Sequence, residues 1–383
     1  MPNNNNFGLT ASEALRYSRH LVLPEVGPEG QRRLKGSSVL IVGAGGLGIP
    51  AAVYLASSGV GRIGLADYDV IEMQNLQRQF LYTESDIGRK KVEVAKERLR
   101  QTNPNVDVIA HDIRLDSKNA LEIMKDYDVV IDSTDNLPSR YLVNDACALL
   151  GRPDVYASVL GFDGQASVFY AAYGPCYRCL FPVPPPPESV KSCEDVGVLG
   201  VIPGIMGGLQ ANQAITTLLG KGSTLMGRLL VFNGFENTFD EIRVKKSTTC
   251  ALCGPNPTIT ELIDYEEFCG LEGKTRPIDF DVTPRALKAS MDGGQRVLLL
   301  DVREQYEYTL CHLEGAKLIP LGELTSRIGE LSQGDDIVVY CHVGVRSTSA
   351  VAMLRRAGYA NVRNLDGGID AWAKEVDPEM PRY

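Results

Sequence analysis

The 383-residue sequence has no excess of basic residues: 39 Lys and Arg stand against 48 Asp and Glu, a formal net charge of -9. That balance excludes the electrostatic footprint of a nucleic-acid binder or of a protein held on an anionic membrane. The opening residues, MPNNNNFGLT, lack both a basic start and an apolar core, so no secretory signal is expected. Uninterrupted apolar runs are missing too. Ser37 to Gly61 and Val196 to Gly220 carry no charge, but Pro and several Gly interrupt both. A membrane helix needs about 20 mainly apolar residues in one piece, so both read as buried segments of a soluble protein. Disulfide pairing has little support. The nine Cys are odd in number, in a large chain without a signal, which points to the cytoplasm, where thiols bind metal or do chemistry.

What is present is enough chain for two domains. Over residues 1–255, short apolar runs alternate with helical patterns. Strands are expected at 38–42, 62–67, 106–111 and 127–133, and helices at Lys91 to Thr102 and Gly207 to Leu219. Alternation of this kind implies an α/β fold with a doubly wound sheet. Residues 182–187, PVPPPP, open a long polar loop. Weak periodicity places a linker at 256–280. A second, smaller α/β pattern fills 281–383, with strands at 297–301 and 337–341 and a helix at Ser347 to Ala357.

The first expected strand runs into Gly43-Ala44-Gly45-Gly46-Leu47-Gly48 and then a helix to about Ser58. Gly43, Gly45 and Gly48 fit G-x-G-x-x-G in the strand–turn–helix context that gives it meaning, and Gly46 adds a further residue without a side chain. Such a loop lets backbone approach a phosphate at a helix N-terminus. Asp67 ends the next strand, where a carboxylate can bind ribose hydroxyls. The fingerprint alone suits a nicotinamide or flavin dinucleotide as well as ATP. Asn75, Arg78 and Lys91 favour ATP, since a triphosphate needs more cationic donors than a dinucleotide. Asp135 follows the strand at 127–133, at the edge where open α/β sheets bind ligands, and can hold Mg²⁺.

Six segments in order, RYSRH (16–20), GAGGLG, DYD, NLQRQ (75–79), GRKKV and STDN (133–136), resemble the ThiF/MoeB family, relatives of the ubiquitin-activating enzymes. The resemblance covers about residues 12–255. It implies a Rossmann-like adenylating domain that uses MgATP on the C-terminal glycine of a small ubiquitin-like sulfur carrier ending in Gly-Gly. It assigns Asp67 to the ribose, Asn75, Arg78 and Lys91 to the phosphates, and Asp135 to Mg²⁺. Arg19 matches an arginine that the family supplies from the second subunit of a homodimer. Carriers of this type serve molybdopterin, thiamine, cysteine or tRNA thiolation pathways.

Cys176-x-x-Cys179 and Cys250-x-x-Cys253 are paired knuckles beside turn residues, the pattern of a closed Cys₄ structural Zn²⁺ site; disulfide or redox chemistry is the alternative. Cys193 lies in SCEDVGVLG, which resembles the family's crossover loop, and the resemblance implies a cysteine that attacks the activated carbonyl or resolves an intermediate. Cys147, Cys269 and Cys311 read as passive.

Cys341-His-Val-Gly-Val-Arg346 follows a strand and opens a helix. Successive N–H groups, the helix N-terminus and Arg346 favour a thiolate that can attack or hold a persulfide. With DVRE (301–304), CHLEGA (311–316) and LDGGIDAW (365–372), residues 281–383 resemble a rhodanese domain. Four residues separate Cys341 from Arg346 rather than the five of a phosphatase loop. Asp301 and Arg303 are expected to buttress the loop.

The combined expectation is an adenylyltransferase and sulfurtransferase. The carrier carboxylate is adenylated, and sulfur passes from a Cys341 persulfide to give a thiocarboxylate. The sulfur comes from a sulfane donor, thiosulfate or a cysteine desulfurase. The main alternative is a ubiquitin-like modifier activator that stops at a thioester and uses the rhodanese domain only for docking. A nicotinamide oxidoreductase with a redox-sensing segment is a weaker one.

Overall fold

The run Ser38–Val42 (β1, SVLIV) is rich in β-branched residues and buried over its last four positions, as suits a strand covered on both faces. A computed structural model describes residues 8–185, 196–270 and 280–383. In it β1 lies between Arg62–Ala66 (β2) and Val129–Asp132 (β4), both parallel to it, with Val42 opposite Ala66 on one side and Asp132 on the other. Asp107–His111 (β3) extends the sheet beyond β2, and Asp154–Leu160 (β5) lies beyond β4. Asp163–Phe169 (β6), Arg228–Asn233 (β7) and Thr238–Arg243 (β8) then continue antiparallel, giving the order β3-β2-β1-β4-β5-β6-β7-β8. The chain winds outward from β1 to β3, then resumes at β4 on the other side. The crevice where it reverses opens beyond the carboxyl ends of β1 and β4, the position at which such sheets take ligands.

The helices follow from the same chemistry. Gly48–Ser58 packs beneath the sheet and stops at Gly59, which adopts φ 79° as a left-handed cap. Lys91–Thr102 forms as its periodicity predicts. The helix expected from Gly207 begins six residues earlier, at Val201. Pro203 falls in its first turn, where the missing N–H has no intrahelical partner to lose. Part of the expected linker folds onto this unit. Helix Tyr265–Phe268 seats a buried Tyr265, whose hydroxyl donates to Asp145 Oδ2 at 2.9 Å. These aromatic contacts carry the first unit through Gly270.

The second unit is a five-stranded parallel sheet, ordered Lys317–Leu318 (β11), Leu298–Asp301 (β10), Ile337–Tyr340 (β12), Val362–Leu365 (β13) and Asp281–Val282 (β9). Alternation along β12 sends Ile337 and Val339 into one apolar layer and Val338 and Tyr340 into the other. The edge strands β9 and β11 are two residues long and show no sequence pattern. Among the described residues, no helix is long and apolar enough to cross a membrane.

Candidate active sites and metal centre

The glycine loop is shaped by crowding. Gly43 adopts φ 97°, and a Cβ there would stand 2.8 Å from the Ser133 carbonyl oxygen. A Cβ on Gly48 would collide with the carbonyl oxygen of Gly43, and one on Gly46 would press on Pro203 at 3.2 Å. Gly45 has only the Gln79 side chain near it, at 3.6 Å, so backbone is open to a ligand there. Asp67 is buried at the end of β2. Its Oδ2 accepts the Ala44 N–H and its Oδ1 the Asp69 N–H, each at 2.8 Å. Burial raises the Asp67 carboxyl above its ordinary value, with the charge of Lys91 opposing.

The cations Lys91 and Arg78 border the same loop. Lys91 is buried, with Nζ 2.8 Å from Asp69 Oδ2. Arg78 packs its stem against Gly46 and donates to the Gln74 carbonyl at 2.9 Å. Asn75 is buried, its Oδ1 accepting the Glu72 N–H at 3.0 Å. Asp135 is exposed just past β4. The buried Gln210 steadies that strand end by donating Nε2 to the carbonyls of Asp132 and Val155, at 2.6 and 2.9 Å. Gly43, Asp67 and Asp135 thus follow the carboxyl ends of β1, β2 and β4, with Arg78 packed at Gly46 and the charge of Lys91 acting on Asp67. Arg19 is exposed on the short helix Ser18–Leu21, and among the described residues no hydrogen bond or ion pair ties it to this loop.

Four thiols converge elsewhere in the unit. The Sγ atoms lie 3.8 Å apart for Cys176 and Cys179, 3.6 Å for Cys176 and Cys250 and 3.4 Å for Cys179 and Cys253, and all four fall within 4.8 Å of one another. Thiolates about 2.3 Å from a tetrahedral zinc would sit about 3.8 Å from each other. The Ser247 N–H points at Cys179 Sγ from 3.3 Å, a donor suited to a coordinated thiolate. The donor set and its spacing fit zinc, and with four protein ligands they fit a closed structural site.

In the second unit β12 delivers Cys341 fully buried, its Sγ taking the Gly344 N–H at 3.2 Å and the Ser347 hydroxyl at 3.4 Å. The loop's carbonyls face away. Those of Cys341 and His342 accept the N–H groups of Ile369 and Asp370, at 2.9 and 3.0 Å. Gly368 allows that approach, since a Cβ on it would meet the Cys341 carbonyl at 2.5 Å. Arg346 is held by Glu307 through two bonds of 2.7 Å. Burial works to raise Glu307, but Arg346 and its other donors hold the carboxyl below its ordinary value. Asp301 and Arg303 form a buried ion pair of 2.6 Å behind the loop. Cys193 lies outside the described residues.

The sequence pattern of the ThiF family matches residues 17–252. The chain belongs to the ThiF family. A rhodanese-like domain matches residues 283–375. The probable adenylyltransferase/sulfurtransferase MoeZ of Mycobacterium tuberculosis is 43% identical, covering 98% of this chain and 96% of MoeZ. The adenylyltransferase and sulfurtransferase MOCS3 of Aedes aegypti is 42% identical, covering 98% and 90%, and that of Drosophila yakuba 45% identical, covering 98% and 86%. This ThiF-family chain is thus an enzyme joining an adenylyltransferase to a sulfurtransferase. Among solved structures, E. coli MccB with ATP superposes with a TM-score of 0.56 at 25% identity, covering 62% of this chain and 74% of MccB.

Three supporting residues of this ThiF-family enzyme escape the sequence reading. Tyr82 is buried, and its hydroxyl donates to the Ala44 carbonyl of the glycine loop at 2.9 Å. Glu307 and Tyr383 support the Cys341 loop from 34 residues before it and 42 after it, as their numbers show. None is of a rare type or in a spaced motif, so only the fold brings them to the sites.

Proposed function

We propose that this enzyme activates the C-terminal glycine of a small ubiquitin-like sulfur carrier, ending in Gly-Gly, and converts it to a thiocarboxylate. The observation that carries the reading is one chain holding both a glycine loop at a sheet switch point and a buried Cys341 sulfur that takes the Gly344 N–H and the Ser347 hydroxyl. Residues 1–255 form the adenylating part, with contacts extending toward Gly270, and 281–383 the sulfur-transfer part.

In the first part the loop Gly43, Gly45, Gly46 and Gly48 takes phosphate oxygens and Asp67 takes the ribose. Asn75, Arg78 and Lys91 meet the remaining phosphate charge. The likeness to MccB, crystallised with ATP, supports that nucleotide. Asp135 offers a carboxylate for Mg²⁺, which when bound would neutralise phosphate charge. The carrier carboxylate attacks the α-phosphorus, the acyl-adenylate forms and pyrophosphate leaves. Little covalent work falls to the protein, and positioning with charge neutralisation sets the rate. Arg19 reaches the site of the other copy in a homodimer.

In the second part the Cys341 thiolate attacks the sulfane sulfur of a donor, thiosulfate or a cysteine desulfurase persulfide; the donor S–S bond breaks, sulfite or the donor's cysteine thiolate leaves, and Cys341 carries a persulfide, with Arg346 steadying the loop. The terminal sulfur attacks the acyl carbon, AMP leaves and an acyl-disulfide results. The Cys193 thiol then attacks the Cys341 sulfur. The carrier thiocarboxylate departs, and the resulting Cys193–Cys341 disulfide is reduced by an external thiol. Cys176, Cys179, Cys250 and Cys253 hold a structural Zn²⁺. A cytoplasmic location, with neither nucleic acid nor membrane as partner, fits the net charge of -9 and the odd number of cysteines.

Asp135→Asn tests the division of labour. Carrier-dependent ATP–pyrophosphate exchange should collapse while thiosulfate:cyanide sulfurtransfer persists. Normal exchange by folded Asp135→Asn protein would remove the metal assignment. Mixing it with Arg19→Ala protein should restore part of the exchange, because one site of the mixed dimer is complete. No recovery after proven subunit exchange would place Arg19 outside its partner's site.

A further inference from the structure

Two ion pairs lie beside the sulfur loop, Asp301 with Arg303 and Glu307 with Arg346. Tyr383 joins them. Its hydroxyl accepts from Arg303 at 2.6 Å and donates to Glu307 Oε1 at 2.9 Å. Its ring stacks on His342, the residue after Cys341, with centroids 4.4 Å apart and planes 11° from parallel. One side chain from the segment 377–383 therefore touches both charged pairs and the loop itself.

The phenol completes the coordination of Glu307. Oε1 accepts from Arg346 and Tyr383, and Oε2 accepts from Arg346 and from the Glu304 N–H. A carboxylate with four donors is held ionised and fixed in orientation, and it presents both oxygens to the guanidinium two-pronged. Arg346 lies in the first turn of the helix Val345–Arg356 that ends the loop begun at Cys341, so the placement of that loop depends on Glu307. On the other side, Arg303 donates Nη2 to the Cys311 carbonyl at 2.8 Å, so its Nη1 is left to face Tyr383. Among the described residues, the charged groups around Tyr383 and His342 are then Asp301 and Arg303 on the β10 side, Glu307 and Arg346, and Asp370 with its partners Lys374 and Arg382.

We propose that Tyr383 is a positioning residue for sulfur transfer: by bridging the Asp301–Arg303 and Glu307–Arg346 pairs and stacking on His342, it sets the geometry of the Cys341 loop. The proposal rests on Cys341 as the sulfur acceptor. It adds a contributor from 42 positions beyond Cys341, outside every motif of the domain and beyond the residues matched by the rhodanese-like pattern. Tyr383 touches neither the sulfur nor a substrate. It acts through Glu307, Arg346 and His342, as a supporting shell acts on a reactive group.

The test uses the full chain with thiosulfate and cyanide as the probe reaction. Tyr383→Phe keeps the ring on His342 and removes both hydrogen bonds. Its kcat should fall about tenfold, the effect of one hydrogen bond to a charged group. KM for thiosulfate should stay within about twofold, because no substrate contact is lost. The acid limb of the kcat–pH profile should move to higher pH, since Glu307 without the phenol donor takes up a proton more readily. In a Glu307→Gln background the same substitution should leave the limb where it is. Tyr383→Leu, which also loses the stack, should be slower still. Wild-type kcat with an unmoved limb in Tyr383→Phe overturns the proposal. So does a loss of rate that follows thermal stability with no movement of the limb, since that is a purely structural effect. Cys341→Ala separates the two levels. If it retains sulfurtransfer, the assignment of Cys341 has failed; if it is inactive while Tyr383→Phe behaves as wild type, only the role of Tyr383 has.

Discussion

Arg178 sits between two of the four clustered cysteines, and replacing it should unfold the first unit at a markedly lower temperature while leaving the sulfur site untouched. Its guanidinium and the Asp145 carboxylate are almost wholly inaccessible, at 2% and 0% exposure. Nε donates to both Asp145 oxygens, at 2.8 and 3.1 Å, and Nη2 donates to Oδ2 at 2.7 Å. The guanidinium also stands 4.4 Å from the Phe268 ring centre and 4.9 Å from that of Tyr141. Arg178→Met keeps the stem and the bulk but strands a buried carboxylate. Breaking such a pair costs about 3–5 kcal/mol. For a unit of this size each kcal/mol lowers Tm by about 2–4 °C, so the fall should be about 6–20 °C. Tyr265→Phe removes one donor to the same carboxylate and should cost about 2 kcal/mol. Adding Asp145→Leu to Arg178→Met should recover part of the loss, because the unpaired charge is gone. The assay is scanning calorimetry of zinc-replete protein, with persulfide loading of Cys341 as a check on the second unit. An Arg178→Met protein melting within about 2 °C of wild type would refute the reasoning.

Gly48→Ala should abolish ATP–pyrophosphate exchange and spare sulfurtransfer, because its Cβ collides with the Gly43 carbonyl in the phosphate loop; exchange at the wild-type rate would refute this. Glu307 has a folded-state pKa below its ordinary value of 4.5. Its contribution to stability is therefore full above that value and is lost as pH falls through the lower, folded-state one. Glu307→Gln should flatten the acid limb of the second unit's stability profile, and an unchanged limb would contradict the assignment. Metal analysis should return about one zinc per chain. Cys250→Ser should lower both zinc content and Tm, since metal binding is coupled to folding; a stable, metal-free wild-type protein would contradict the thiol centre.

Much of this was legible where burial dictates pattern. β1 and the helix Lys91–Thr102 coincide with the apolar run and the periodicity that predict them. The antiparallel strand β8 escaped because a strand can exist through pairing alone. All six residues of β8, TFDEIR, are exposed, and its register with β7, Leu229 opposite Ile242, leaves no apolar alternation to read. The glycine loop, the paired cysteines and Cys341 were visible because their chemistry needs particular residues at short spacing. Tyr82, Glu307 and Tyr383 were not, because each is an ordinary residue whose partner is remote in sequence; Glu307 and Tyr383 are 76 positions apart. Segment 256–270 has the pattern of a linker because its charges mask the two aromatics, Tyr265 and Phe268, that anchor it.

Adenylation and sulfur transfer on this chain are proposed to converge on one carrier. The direct measurement is the intact mass, under non-reducing conditions, of a ubiquitin-like sulfur carrier ending in Gly-Gly after incubation with the enzyme, MgATP and thiosulfate. The expected product is a carrier in which one carboxylate oxygen has become sulfur. With Cys341→Ala no such product is expected, although pyrophosphate exchange continues. Thiocarboxylate made by Cys341→Ala protein, or a carrier thioester as the end product of the wild type, would contradict the proposal.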